Sequence, residues 1–163
     1  MNKTWLIIEK IIGSLLTIWG IIALYGITST VVSVINNGFA ATVNTTYFQL
    51  FLGNHLNFFL GLAAVFGGYM LISNDKPGWI LAIISLALYV VAFFRSSQAN
   101  SIDNSQPYYV FFKSYSLMAL LFLVMLILLI QKPFLKKYHV SVKNWLWIVV
   151  IITVCILDKI FIK

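Results

Sequence analysis

The chain has 163 residues, of which 61% are hydrophobic and 9% are charged, and its mean hydropathy is +0.97. A soluble domain carries roughly 25% charged residues, so this composition excludes an independent water-soluble fold. The net charge of +7 comes from 11 Lys and Arg residues that are scattered along the chain. They form no stripe that could follow a phosphate backbone, and we expect no nucleic-acid partner.

The first long apolar segment, residues 11–35, is predicted to be a retained transmembrane helix. The apolar stretch of a secretory signal is only about 7–15 residues long, and this segment is longer. A polar, uncharged loop follows, and a second span is predicted over residues 50–73. It ends at Asn74-Asp75-Lys76-Pro77-Gly78, a tight turn, because proline cannot continue the helix and glycine tolerates positive φ.

Three further apolar segments, residues 79–94, 108–130 and 145–160, predict three more spans. The last has a short uninterrupted apolar core, residues 145–157, because Asp158 and Lys159 follow it directly. A bilayer crossing needs about 20 apolar residues. We therefore predict an all-α, polytopic integral membrane bundle of about five helices, with residues 1–163 forming a single transmembrane domain.

Basic loops predict the orientation of this bundle. The N-terminal segment, the turn at Lys76 and the connection over residues 131–144 carry most of the lysines, and they fall on one side if five spans alternate. Because cytoplasmic loops are enriched in Lys and Arg, we expect a cell-membrane protein (in a bacterium, of the inner membrane) with a cytoplasmic N-terminus and an outer C-terminus. Tryptophans predicted to anchor the cytoplasmic boundary are Trp5, Trp79, Trp145 and Trp147.

Small residues predict how the first two spans pack. They recur at helical spacing along one face of each span, and small faces let helix backbones approach closely in lipid. The residues are Gly13, Thr17 and Gly20 on span one, and Gly61, Ala64 and Gly68 on span two.

A group of polar residues is predicted near the outer ends of spans two, three and four. Polar and ionisable groups in spans are costly and often line a wet cavity, so these side chains are candidates for a vestibule or pore. A purely interfacial position near headgroups and water is the alternative. The group comprises Asn54, His55, Asn57, Arg95, Lys113 and Tyr115. Glu9, in the first turn of span one, is interpreted as interfacial.

Catalytic and metal-binding patterns are missing from the sequence. The acidic residues, Glu9, Asp75, Asp103 and Asp158, are dispersed, and Cys155 is the single cysteine. Metal sites need several converging ligands, and acid–base catalysis needs positioned titratable pairs. We expect no catalytic residues, no metal and no cofactor.

These features favour a non-enzymatic membrane protein that acts through protein–protein contacts, as an accessory, immunity-type or membrane subunit of a larger system. Its expected partners are the lipid bilayer and either another membrane protein or further copies of itself. The first alternative is an oligomeric channel or small transporter that uses the outer polar group. The second is a lipid-modifying membrane enzyme, which lacks a visible nucleophile or base.

Overall fold

The computed structural model describes residues 3–36, 47–100 and 109–161. Within these ranges every regular element is an α-helix, which confirms the predicted all-α class. The helices are α1 (Lys3–Asn36), α2 (Tyr47–Ile72), α3 (Lys76–Asn100), α4 (Tyr109–Leu129), α5 (Lys132–Lys137) and α6 (Val142–Phe161). Three segments in this part of the chain are long and apolar enough to cross a bilayer, namely Lys3–Asn36, Leu52–Ile72 and Lys76–Ser96.

The helices extend beyond the predicted apolar segments. α1 begins at Lys3 and α3 continues to Asn100, through polar residues that we predicted to be a loop. Neither extension contains a proline that would interrupt the helical hydrogen bonds. The short helix α5 lies within the basic segment predicted to be a plain connection, and Pro133 occupies its first turn, where a missing N–H costs nothing.

Helix α3 is the centre of the bundle, since it packs against α2, α4 and α6, while α1 packs against α2. It also contributes more buried core residues than any other helix described. Its buried Ser85 is satisfied within the helix by the carbonyl oxygen of Leu81, at 2.8 Å. Largest among the fully buried side chains are Trp79, Phe122, Phe134, Leu16, Leu71 and Ile83.

The α1–α2 contact brings together the small residues of the two helices. A Cβ atom added to Gly13 would lie 2.8 Å from the carbonyl oxygen of Gly68, and one added to Gly20 would lie 2.8 Å from that of Gly61. The Thr17 hydroxyl donates to the Gly13 carbonyl at 2.8 Å, so it adds no unpaired polar group to the contact. The two backbones therefore touch at positions that admit no side chain.

Two turns at the same end of the bundle have a left-handed residue after a helix. Asn74 (φ 67°) follows α2, and the N–H groups of Asn74 and Asp75 bond to carbonyls of the last helical turn at 3.1 and 2.9 Å. His139 (φ 45°) follows α5 in the same pattern. Both are Schellman-type caps. Gly78, in contrast with the expected turn role, lies inside α3, where a Cβ would come within 2.5 Å of Met70.

The second half of α1 is less buried than the first in the described part of the chain. The buried residues of α1 run from Glu9 to Gly20, and none follows. With 34 residues, the helix is about 51 Å long at about 1.5 Å per residue. That exceeds the roughly 30 Å hydrocarbon thickness of a bilayer, so α1 extends well beyond the part that contacts α2.

Candidate functional site

A buried carboxylate lies at the end of the bundle that holds these two turns. Glu9 is 0% exposed, although it lies only two turns from the start of α1. It accepts hydrogen bonds from the Lys137 ammonium, at the end of α5, and from the Tyr138 hydroxyl. An ionised carboxylate is tolerated in a protein interior when it is paired and hydrogen-bonded in this way. The structure thus gives Glu9 two protein partners, which its position in the first turn of span one did not predict.

Lys137 connects this carboxylate to the α2–α3 turn. Its ammonium also donates to the side-chain oxygen of Asn74, and nearby Lys76 donates to the carbonyl oxygen of His139 at 3.0 Å. We call Glu9, Asn74, Lys137 and Tyr138 the Glu9 cluster. It joins the start of α1, the α2–α3 turn and the α4–α6 connection at one end of the bundle.

Tyr138 is held between this cluster and the aromatic core. Burial raises the pKa of Tyr138 above its ordinary value, and the hydrogen bond from its hydroxyl to Glu9 raises it further. The negative charges of Glu9 and Asp75 act in the same direction. On its other side the ring stacks on Trp79, with 6.2 Å between centroids. Tyr138 is therefore a neutral hydrogen-bond donor at physiological pH.

The tryptophans predicted as interface anchors lie at this same end but differ in exposure. Trp79 is fully buried and donates from its indole to the Leu129 carbonyl at 3.0 Å, so it completes the last turn of α4 instead of facing headgroups. Trp145 packs edge-on against Trp79, and Trp5 packs edge-on against Phe134. The remaining one, Trp147, is 57% exposed, as an interface anchor would be.

At the opposite end, His55 of α2 pairs with Asp158 of α6. The His55 Nε2 lies 2.9 Å from a carboxylate oxygen of Asp158, and its Nδ1 contacts the carbonyl oxygen of Leu52. Both ring nitrogens thus lie next to oxygen atoms of the protein. The structure thus brings together two residues that are 103 positions apart in the sequence.

The other predicted polar residues are distributed around two cavities. A cavity of about 340 Å³ between α1, α2 and α3 is lined by Asn54 and Asn57, and a groove of about 250 Å³ between α2, α3 and α6 is lined by Asn57 and Arg95. Tyr115 lies outside both and packs on Phe93, at 5.9 Å between centroids. The Lys113 side chain lies outside the described residues. The predicted cluster is therefore divided between two spaces.

The α1–α2–α3 cavity carries unsatisfied polar groups in its wall. The indole N–H of Trp19 and the hydroxyl of Tyr89 are buried and have no hydrogen-bond partner in the described part of the chain. Buried polar atoms without partners are rare and call for an explanation such as water or a bound group. The indole of Trp19 also packs among Tyr89, Phe93 and Phe122, so the cavity borders a rigid aromatic cluster.

The described residues form no cluster of side chains of the kind that binds a metal ion. Among residues 3–36, 47–100 and 109–161, no group of three or more His, Cys, Asp or Glu side chains converges. Both acidic side chains inside the bundle, Glu9 and Asp158, are engaged in ion pairs. No protein-family model matches the chain, and comparison with curated proteins and with solved structures finds no match.

Proposed function

We propose that the chain is a single transmembrane domain that crosses the cell membrane five times, with the N-terminus cytoplasmic and the C-terminus outside. The Glu9 cluster supports this arrangement, because it gathers at one end three segments that alternate crossings would put on one side. Helix α6 has 20 residues, or about 30 Å at about 1.5 Å per residue, which suffices for a crossing. The lysines around this end support a cytoplasmic position for it, because cytoplasmic loops are enriched in Lys and Arg.

Within this arrangement the protein acts without catalysis, by binding a transmembrane helix of another membrane protein. The contact surface is one face of the second half of α1, beyond its last fully buried residue, which we call the small face: Ala23, Gly26, Ser29, Thr30 and Ser33. These positions share a face by helical spacing. Small and hydroxyl side chains allow close helix association in lipid, and α1 already uses them against α2 in its first half.

The observation that carries this proposal is the cavity beside the small face. Ala23, Gly26 and Thr30 line it, and a Cβ added at Gly26 would meet no atom within 4 Å. The Thr30 hydroxyl is satisfied by the Gly26 carbonyl at 2.8 Å, whereas Tyr89 of α3, across the cavity, and Trp19, on α1 itself, have unused donors. A partner helix in this opening would bury the small face and receive those hydrogen bonds.

Site-directed crosslinking in native membranes tests the proposal. In a Cys155→Ser background, a photoreactive maleimide at Thr30→Cys should crosslink to a discrete membrane protein, whereas the same label at Val32→Cys, on the opposite face of α1, should label lipid. Mass analysis of the product distinguishes a foreign partner from a second copy. Equal protein crosslinking at both positions, or none at either, would argue against a helix-binding face.

The same cavity also favours a second function, permeation of a small polar solute. The polar side chains of Asn54, Asn57, Tyr89 and Ser96 line it, and a channel would use such groups to replace water around the solute. Flux into liposomes that contain the purified protein separates the two functions. Flux that is reduced by Asn57→Leu supports a pore, and absence of flux alongside crosslinking at Thr30→Cys supports the accessory role.

A further inference from the structure

The groove between α2, α3 and α6 combines an apolar wall with cations at one end. Its wall includes Leu56, Leu60, Ala63, Leu88, Ile151 and Cys155. Arg95 of α3 and Lys159 of α6 line the same groove. Both lie near the end of the bundle at which His55 pairs with Asp158. This arrangement matches the shape of an amphiphile, which has an apolar chain and a charged group at one end.

Neither cation of the groove has an acidic partner in the described part of the chain. The acids present there are Glu9, which pairs with Lys137, Asp158, which pairs with His55, and Asp75, in the turn at the other end of the bundle. Lys159 follows Asp158 in sequence but forms no ion pair with it. Among the described residues, the mouth of the groove therefore carries two positive charges without an acidic partner, and they complement an anionic headgroup.

We infer that this groove binds an anionic phospholipid of the surrounding bilayer, with an acyl chain along the apolar wall and the headgroup phosphate between Arg95 and Lys159. The inference is independent of the proposed helix-binding face, which lies on the other side of the α2–α3 contact. Basic pockets between transmembrane helices are a recognised way to hold anionic lipid headgroups.

The groove is longer than the hydrocarbon thickness of one lipid leaflet. On α3 the lining residues run from Leu81 to Arg95, or about 21 Å at about 1.5 Å per residue. One leaflet accounts for about half of a hydrocarbon core of roughly 30 Å. An acyl chain whose phosphate is at Arg95 therefore fits against α3 without leaving its own leaflet.

Lipid retention by the purified full-length protein tests the inference. Delipidated protein is incubated with phosphatidylglycerol or with phosphatidylcholine of identical acyl chains, and bound lipid is counted by native mass spectrometry. We expect several-fold preference for phosphatidylglycerol, and no binding of water-soluble glycerol phosphate, since the headgroup alone lacks the chain. Equal retention of the two lipids would overturn the inference.

Paired variants separate the groove from general attraction to positive charge. Arg95→Gln with Lys159→Gln should abolish the preference, whereas Lys10→Gln with Lys132→Gln, which removes two exposed cations elsewhere, should keep it. Ala63→Phe, which fills the apolar wall and leaves both cations, should reduce retention, and Leu120→Phe on the exposed face of α4 should not. Unchanged retention in the first pair, or loss in the second, contradicts the assignment.

Labelling with a photoreactive acyl chain tests the inference on the wild-type protein, so the result does not depend on whether a variant folds. Phosphatidylglycerol with a diazirine near the chain terminus should label peptides of α3 and α6 that contain Leu81, Ile84 or Ile151, which line the end of the groove away from Arg95. Labelling spread evenly over the exposed apolar residues of α4 would show a general lipid annulus and would overturn the inference.

Discussion

Lys137 donates a hydrogen bond to the buried carboxylate of Glu9, although 128 residues separate the two in the sequence. The pair links the first helix of the bundle to the connection that precedes the last helix. Because a carboxylate that is 0% exposed depends on its partners for solvation, this relationship makes the basic α4–α6 connection part of the folded core.

Removal of the cation should be more damaging than removal of the acid. Lys137→Met leaves the Glu9 carboxylate buried with only Tyr138 as a donor, and breaking a buried ion pair costs about 3–5 kcal/mol. Glu9→Gln should cost less, since the Lys137 side chain is 20% exposed and its charge retains contact with solvent. Thermal unfolding in detergent measures both.

The neighbouring Lys136 provides the control for this comparison. Its side chain is exposed, so Lys136→Met should change stability by no more than about 0.5 kcal/mol. If Lys137→Met changed the thermal stability as little as Lys136→Met, the Glu9 cluster would not stabilise the fold.

Alkaline pH should weaken the fold through Tyr138. The folded protein holds the phenol proton more tightly than the unfolded chain, because burial and the bond to Glu9 raise the pKa of Tyr138. The stabilisation is complete below the unfolded tyrosine pKa of about 10 and declines as the pH rises above it. As the pH rises above about 10, the denaturation midpoint should fall more steeply for the wild type than for Tyr138→Phe. Parallel pH profiles for the two proteins would be inconsistent with this hydrogen bond.

Close helix contact should make the α1–α2 glycines intolerant of any side chain. Gly68→Ala would place a methyl group 2.5 Å from the Gly13 carbonyl oxygen, so the helices must separate, at a cost of about 1–3 kcal/mol. At Gly53, in the same helix, an added Cβ would meet no atom within 4 Å. Gly53→Ala should therefore be neutral or slightly stabilising, because alanine favours helix. Similar melting temperatures for both variants would refute the contact.

The apolar pattern was sufficient to predict the helices, because a membrane-spanning helix satisfies its own backbone and needs only length and hydrophobicity. The helix ends were missed where polar residues continue the helix, as in the Arg95–Asn100 segment of α3. The small residues at the α1–α2 contact, such as Gly13 and Gly68, could also be predicted from local sequence. Helical spacing alone aligns each set along one side of its own helix.

Ion pairs could not be predicted in the same way, because their partners are distant in sequence. Local context made Glu9 a first-turn residue, and only the packing of α5 against α1 buries it. The same holds for His55 and Asp158, which are 103 residues apart. The signal that was available is an acid at the edge of an apolar segment, as at Glu9 and Asp158, since such residues require a partner.

The His55–Asp158 pair should register as a coupling energy between α2 and α6. In a double-mutant cycle of His55→Ala and Asp158→Ala, residues in direct contact show an interaction energy of about 0.5–3 kcal/mol. The exposed Lys159→Ala variant, combined with His55→Ala, should instead be additive. Additivity in both cycles would mean that α6 does not dock on α2 through this pair.

Five crossings with opposite termini form the central claim, and cysteine accessibility in intact cells tests it most directly. In a Cys155→Ser background, cysteines replace Asp75, in the turn beside the Glu9 cluster, and Lys163, after α6. A membrane-impermeant maleimide should label Lys163→Cys from outside and should label Asp75→Cys only after permeabilisation. Labelling of both cysteines only after permeabilisation would place them on the same side and contradict the five-span arrangement.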